Sequence, residues 1–412
     1  MHTLEWPSLA VEWIPDRRFA DPERDYTLNY VLVGTQAARG QPNVVRVMEV
    51  AVANPEAAGV MYDLYGDADM DHGDAEMEEM YKACVDPGKL FTNVQGHLAC
   101  EQVVHVDAPV LRIRALPVET NIVAVKTASG FVGVYNLVQD LATDARGHTV
   151  PEALLRGHKA GGFGLAWNVA KLGHIASGGD DGLVNYWDIQ HRISVDYVEG
   201  GAGPDLIGPE VQPLQRLTGH SDVVTDVTWH ETHGHLLASA SMDGDVRIWD
   251  TRFNTVCTTI SGAHVGGTTS AQFHPVGAFQ LATGGMDSAV HLWDIRRPHD
   301  PVVALAYHGR AVQAVQWSPF DERVLASSGD DGRVVVWDIG KASLPYAYSE
   351  EGLAPPEVSF VHLGHMGRVT AHAWSRCRQD PLLMASTDTV NGLQIYRPRE
   401  SVVKDFIPSL MR

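Results

Sequence analysis

Between Gly219 and Arg252 the chain reads GHSDVVTDVTWHETHGHLLASASMDGDVRIWDTR. Three short apolar runs alternate with polar positions and are separated by turn-forming residues. Alternation with a period of two predicts half-buried strands, because successive strand side chains face opposite ways. Met242-Asp243-Gly244 supplies the tight turn between the second and third runs. The stretch therefore predicts a small antiparallel sheet whose fourth strand follows Arg252.

The unit recurs. His220, Ser239, Asp243 and Trp249 hold offsets that are also held by His158, Ser177, Asp181 and Trp187. The same offsets return at His264, Thr283, Asp287 and Trp293, and again at His308, Ser327, Asp331 and Trp337. A period of roughly 40–45 residues with a closing Trp-Asp is the pattern of a four-stranded propeller blade. In such a blade the turn Asp is expected to bond the His, the His the Ser or Thr, and that hydroxyl the indole N–H. Buried polar groups need such partners. These sets are predicted to be structural, although they contain the Ser, His and Asp of hydrolytic sites.

Two flanking units are worn. Residues 103–136 keep the strand rhythm, with Tyr135 at the Trp position and no turn Asp; residues 364–396 keep His365 and Ser386 but end in Tyr396. Ahead of them LAVEW, NYVLVGT and NVVRVMEV read as further strands. The expected fold is all-β, a seven-bladed WD-repeat β-propeller over residues 1–397. Its ring is closed by an N-terminal strand, at Thr3–Trp6, pairing with the last blade, since an open sheet edge invites aggregation. Three insertions interrupt the rhythm: an acidic stretch at 54–98 expected to be mobile, a Gly/Pro loop at 198–213, and a Pro-Pro loop at 341–359. Residues 398–412 read as a short tail or helix.

Composition narrows the function. A formal charge of −20 argues against direct contact with nucleic acid or an anionic membrane and favours a basic partner. The four cysteines lie far apart, so reduced thiols in the cytosol or nucleus are expected. No run reaches the roughly 18 apolar residues of a membrane helix, and no signal peptide precedes Trp6. The histidines are mostly blade openers, and neither HExxH nor CxxC occurs, so no metal or cofactor is expected.

HTLEWPSLAVEWIPD, VAVKTASG, RGHKAGGFGLAWN, LTGHSDVVTDVTWH and PPEVSFVHLGH stand in this order along the chain. Together they resemble the histone-binding WD-repeat family named for binding the retinoblastoma protein, with its MSI-type relatives. The resemblance implies a non-enzymatic histone chaperone and scaffold, a shared member of chromatin assembly, deacetylase or Polycomb-type complexes in the nucleus and also the cytoplasm. Members hold the first helix of histone four in a side groove between an N-terminal helix and the acidic Pro-Pro loop. The loop half is present here as Glu350, Glu351, Pro355, Pro356, Glu357, Phe360 and Val361. The helix half precedes HxLEWPSL in the family, so either the groove lacks it or the start lies further upstream. An ordinary acidic surface loop is the alternative reading of 350–361.

Members also bind basic tails on the top face. The mouth-facing places three residues after each opening histidine are Gly161, Val223, Gly267, Ala311 and Arg368, and none is acidic. Basic tails need carboxylates to offset their desolvation, so little affinity for them is expected; Phe163 remains as a stacking surface for a guanidinium. Two further readings stand beside the first. Trp249 to Arg252 and Trp293 to Arg296 match the WDxR box by which some propellers dock on cullin–RING ligase adaptors, through Arg252 and Arg296. The LEWPSL entry is also shared by a glutamate-rich histone-binding factor of ribosome assembly, whose acidic runs are longer.

Overall fold

The computed structural model describes residues 2–14, 26–38, 40–53, 98–138, 141–193, 209–342, 355–376, 381–390 and 392–398. Expectations about the acidic insertion and the C-terminal tail fall outside these residues, apart from residue 98.

Seven antiparallel-built sheets are present among the described residues, and each is one blade of a β-propeller. The first blade holds β2 (Val11–Trp13), β3 (Tyr26–Gly34), β4 (Asn43–Ala53) and β5 (Leu98–Val106). The second holds β6 (Val110–Ala115), β7 (Ile122–Thr127), β8 (Val132–Asn136) and β9 (Ala153–Leu155); the third holds β10 (Gly164–Trp167), β11 (His174–Gly178), β12 (Val184–Asp188) and β14 (Gln215–Leu217). In the fourth are β15 (Val224–Trp229), β16 (Leu236–Ser241), β17 (Val246–Asp250) and β18 (Thr255–Ile260). The fifth contains β19 (Thr268–Phe273), β20 (Gln280–Gly285), β21 (Ala289–Asp294) and β22 (Val303–Ala306). The sixth contains β23 (Val312–Trp317), β24 (Val324–Gly329), β25 (Val334–Asp338) and β26 (Val358–His362). Three late strands, β27 (Val369–Trp374), β28 (Met384–Asp388) and β29 (Gly392–Tyr396), make the seventh blade with β1 (His2–Thr3).

The closing strand is displaced from its expected place. β1 pairs with β29 through His2↔Leu393 and Thr3↔Gly392, earlier than Thr3–Trp6. Leu4 instead packs into the core between the first and seventh blades, and Pro7 has no N–H for a ladder. That core joins Val11, Trp13 and Val31 to Ala373, Leu383 and Leu393, and the Trp13 indole donates to the Ala373 carbonyl at 3.2 Å. The Gly/Pro loop is not loop throughout either. Glu210–Val211 forms β13, a fifth strand parallel to β9 in the second blade, fastened by an Arg156–Glu210 ion pair at 2.7 Å.

Candidate functional site

Three blades contain the expected polar set. In the fourth, the Trp249 indole donates to Ser239 Oγ at 2.8 Å, Ser239 lies 2.7 Å from His220 Nε2, and His220 Nδ1 lies 2.9 Å from Asp243. A neutral imidazole with its proton on Nδ1 satisfies every group in that chain. The fifth repeats it with Trp293, Thr283, His264 and Asp287, and the sixth with Trp337, Ser327, His308 and Asp331. Burial lowers the His220 pKa against the pull of Asp243. Burial alone would raise the Asp243 carboxyl, but His220 and the backbone N–H groups of Asp245 and Ser221 hold it below its ordinary value.

The third blade departs from this expectation. His158 Nδ1 still meets Asp181 at 3.0 Å, but Nε2 faces the Ser177 carbonyl at 3.1 Å, and the Trp187 indole donates to the Arg156 carbonyl at 3.3 Å. Ser177 Oγ is taken by Lys126, whose Nζ lies 2.6 Å away and also donates to the Gly178 carbonyl. Lys126 sits near the end of β7, where the fourth to seventh blades carry Ala240, Gly284, Ser328 and Thr387. A long side chain in that small-residue place crosses to the next blade. There an enclosed ammonium takes the nearest hydroxyl. Lys126 has no exposed surface, and burial lowers its pKa to about 7.

The last blade is better formed than its sequence suggested. His365 Nδ1 meets Asp388 at 2.9 Å and Nε2 meets Ser386 Oγ at 2.6 Å. Asp388 was missed because it stands two residues after Ser386, whereas the other turn aspartates stand four after their hydroxyl. The separation of 23 residues from histidine to aspartate is the same as in the other blades and would have found it.

At the Pro-Pro loop the Val358 N–H donates to the Pro355 carbonyl at 2.9 Å, making a turn with Pro356 at its exposed second position. Pro355 is buried, and Glu357 is only 6 % exposed. Phe360 and Val361 lie on β26 and are half-buried; the Phe360 ring sits 6.3 Å from that of Tyr396 on β29. His362 next to it stacks on Tyr396 at 3.8 Å and meets Gln394 at 2.6 Å. β29 is also the strand that pairs with His2–Thr3, so the Pro-Pro turn and the N-terminal strand border one outer edge of the ring. Glu350 and Glu351 lie outside the described residues.

Phe163 precedes β10 at the channel mouth and is 39 % exposed. Its carbonyl is held by Arg112 Nε at 2.9 Å, and Arg112 lies 3.8 Å from Asp226. Below it, Arg114 pairs with Glu12 at 3.0 Å along a channel cavity of about 110 Å³ that His372 also lines. At the opposite ring end, Arg252 and Arg296 are each gripped by their own aspartate. Arg252 Nη2 reaches Asp250 at 2.6 Å, Arg296 Nη2 reaches Asp294 at 2.6 Å, and these bonds lower both carboxyls to about 2. Arg296 lies over the Phe279 ring at 4.2 Å. Both guanidiniums remain largely exposed, but an adaptor would have to share them with carboxylates already in place.

Two comparisons bear on what these surfaces are for. Residues 211–250, 255–294 and 300–338 match the WD domain, G-beta repeat. Residues 1–54 match the family described as histone-binding protein RBBP4 or its counterpart in the CAF1 complex. The chain resembles the RBBP4/MSI type of WD-repeat protein. That first match covers β1 to β4 and so includes the strand that closes the ring beside the Pro-Pro turn.

Proposed function

We propose that this protein is a non-catalytic, nuclear histone-binding scaffold of chromatin assembly, deacetylase or Polycomb-type complexes. The observation that carries this reading is the shared edge: an N-terminal segment of histone-binding type enters the ring beside the Pro355–Val361 turn. A helix of histone four laid along that edge would meet Phe360 and Val361 with its apolar side. Its arginines and lysines would meet carboxylates of the preceding stretch. Because Glu357 is buried, that role falls to Glu350 and Glu351. Calorimetry with a peptide of the first histone-four helix tests this. Replacing Glu350→Lys and Glu351→Lys together should weaken binding at least about tenfold, as expected for two like-charge contacts. Undiminished binding sinks the groove reading. Affinity purification should recover histones with assembly or deacetylase components; recovery of cullin adaptors or pre-ribosomal proteins in their place would favour the other readings.

A further inference from the structure

At the ring end that carries the His–Asp pairs, the turn between the second and third strands of each blade meets the connection into the next first strand. The residue just before the turn aspartate is Asp180 in the third blade, Met242 in the fourth, Met286 in the fifth and Asp330 in the sixth. The two methionines flank one connection, Val265–Gly267. A Cβ on Gly267 would fall 2.8 Å from Met242 Cε, and one on Gly266 would lie 3.4 Å from Met286 Cβ. The Met286 N–H donates to the Gly267 carbonyl at 3.0 Å, and the Val265 N–H reaches Asp287, the residue after Met286, at 3.1 Å. Val265 is 82 % exposed, Met286 43 % exposed and Met242 half-buried. The three make a continuous apolar patch on an otherwise polar rim, and such patches mark binding sites.

The two borders of the patch differ in sign. On the third-blade side, the Val224 N–H donates to the Gly179 carbonyl at 3.0 Å, which brings exposed Asp222 beside exposed Asp180. On the sixth-blade side, Thr269 Oγ1 donates to the Val312 carbonyl at 2.5 Å, and the Asp330 N–H donates to the Ala311 carbonyl at 2.9 Å. Exposed Arg310 adjoins Ala311, and Arg368, with its side chain 64 % exposed, lies 3.7 Å from Asp330. Asp330 also accepts from Gln313 Nε2 at 3.0 Å, so this border keeps an excess of positive charge.

We propose that this face binds an extended peptide segment with an apolar side chain between a basic and an acidic residue. The basic residue would lie over Asp180 and Asp222, the apolar one on Met242, Val265 and Met286, and the acidic one over Arg310 and Arg368. A uniformly basic segment would set like charges against the two arginines, which complementary interfaces avoid. This surface is separate from the Pro-Pro edge, so the proposal does not depend on the histone reading.

The test uses the full chain and labelled Gly/Ser-based synthetic peptides in fluorescence anisotropy. One set carries a central Leu between Lys and Glu at several spacings. Companion sets carry Lys on both sides, Glu on both sides, or Ser in place of the Leu. The Lys–Leu–Glu set should bind best, with Leu to Ser weakening it about tenfold, the order expected from partial burial of one Leu side chain. Met242→Ser with Met286→Ser should cause a similar loss. Arg310→Glu with Arg368→Glu should switch the preference to Lys on both sides, and this gain cannot arise from misfolding. Equal or tighter binding of the Lys–Leu–Lys set to the unaltered protein overturns the proposal, as does failure of every set to bind or failure of the switch.

Discussion

Replacing Lys126 by Met tests whether an ion buried between two blades burdens the fold. In the unfolded chain this lysine titrates near its ordinary value of 10.5; in the ring, burial lowers it to about 7. The folded state therefore binds fewer protons than the unfolded state between those values, and stability must rise with pH across that window. Below about pH 7 both states are protonated and the penalty is complete; above about 10.5 both are neutral and it vanishes. A full shift of this size corresponds to roughly 5 kcal/mol, at about 1.4 kcal/mol per pH unit. From about pH 7 to about pH 9 the expected gain is about 2 kcal/mol, since the folded-state amine is already half deprotonated at the start. Lys126→Met keeps an unbranched side chain and loses the proton-binding group, at the cost of the bonds to Ser177 Oγ and the Gly178 carbonyl. The freed Ser177 hydroxyl would then be available to His158 and Trp187. Denaturant midpoints of both proteins, measured across this pH range under conditions where refolding is complete, give the difference curve. The variant should gain on the wild type as pH falls and lose ground as it rises. Parallel curves would refute the reasoning and mean that Lys126 keeps an ordinary pKa.

Ser239→Ala leaves the Trp249 indole and the His220 ring without their buried partner. It should cost about 2–4 kcal/mol in denaturant unfolding, one desolvation penalty for each orphaned group. The Asp181 carboxyl is held at about 2 against burial by His158 and the backbone N–H groups of Lys159 and Leu183. Its depressed folded pKa supplies stability that is complete above about pH 4 and lost as pH falls through about 2, so Asp181→Asn should flatten the acid limb of the melting curve. Thr3→Pro removes an N–H from the two-residue strand facing Gly392 and should raise hydrogen exchange in β29 before that of the fourth blade.

The ring was legible because its repeat is anchored by offsets that a short hairpin geometry enforces. His220, Ser239, Asp243 and Trp249 bond within one blade, so their spacing carries the information. What the sequence hid comes from neighbours distant along the chain. Nothing local to Ser177 announces that Lys126, 51 residues earlier, takes its hydroxyl. The seventh blade looked poorer than it is because its turn aspartate shifted relative to Ser386 while keeping its distance from His365. At the Pro-Pro loop the residue types were readable but their exposure was not. Glu357, an obvious carboxylate for a basic partner, is buried.

Met242 and Asp243 show why fold and recognition separate so cleanly in this chain. Asp243 faces inward to His220 Nδ1 and the Ser221 N–H, and changing it would undo a blade. Its immediate neighbour Met242 is fixed only through its backbone, by the bond from its N–H to the Val223 carbonyl, which any residue but proline can make. The same holds one blade on, where Asp287 is bound by His264 and Met286 is not. Each turn thus offers one position bound to the repeat and one free to meet a partner. Arg310 and Arg368 are free in the same sense, since both follow the opening histidines His308 and His365 and neither belongs to a polar set. A ring whose inward positions hold the blade pattern can therefore carry a face of altered charge at no cost to closure. A resemblance carried by the blade pattern says little about what that face binds, and the charge-switch experiment reads only the residues that the fold leaves unassigned.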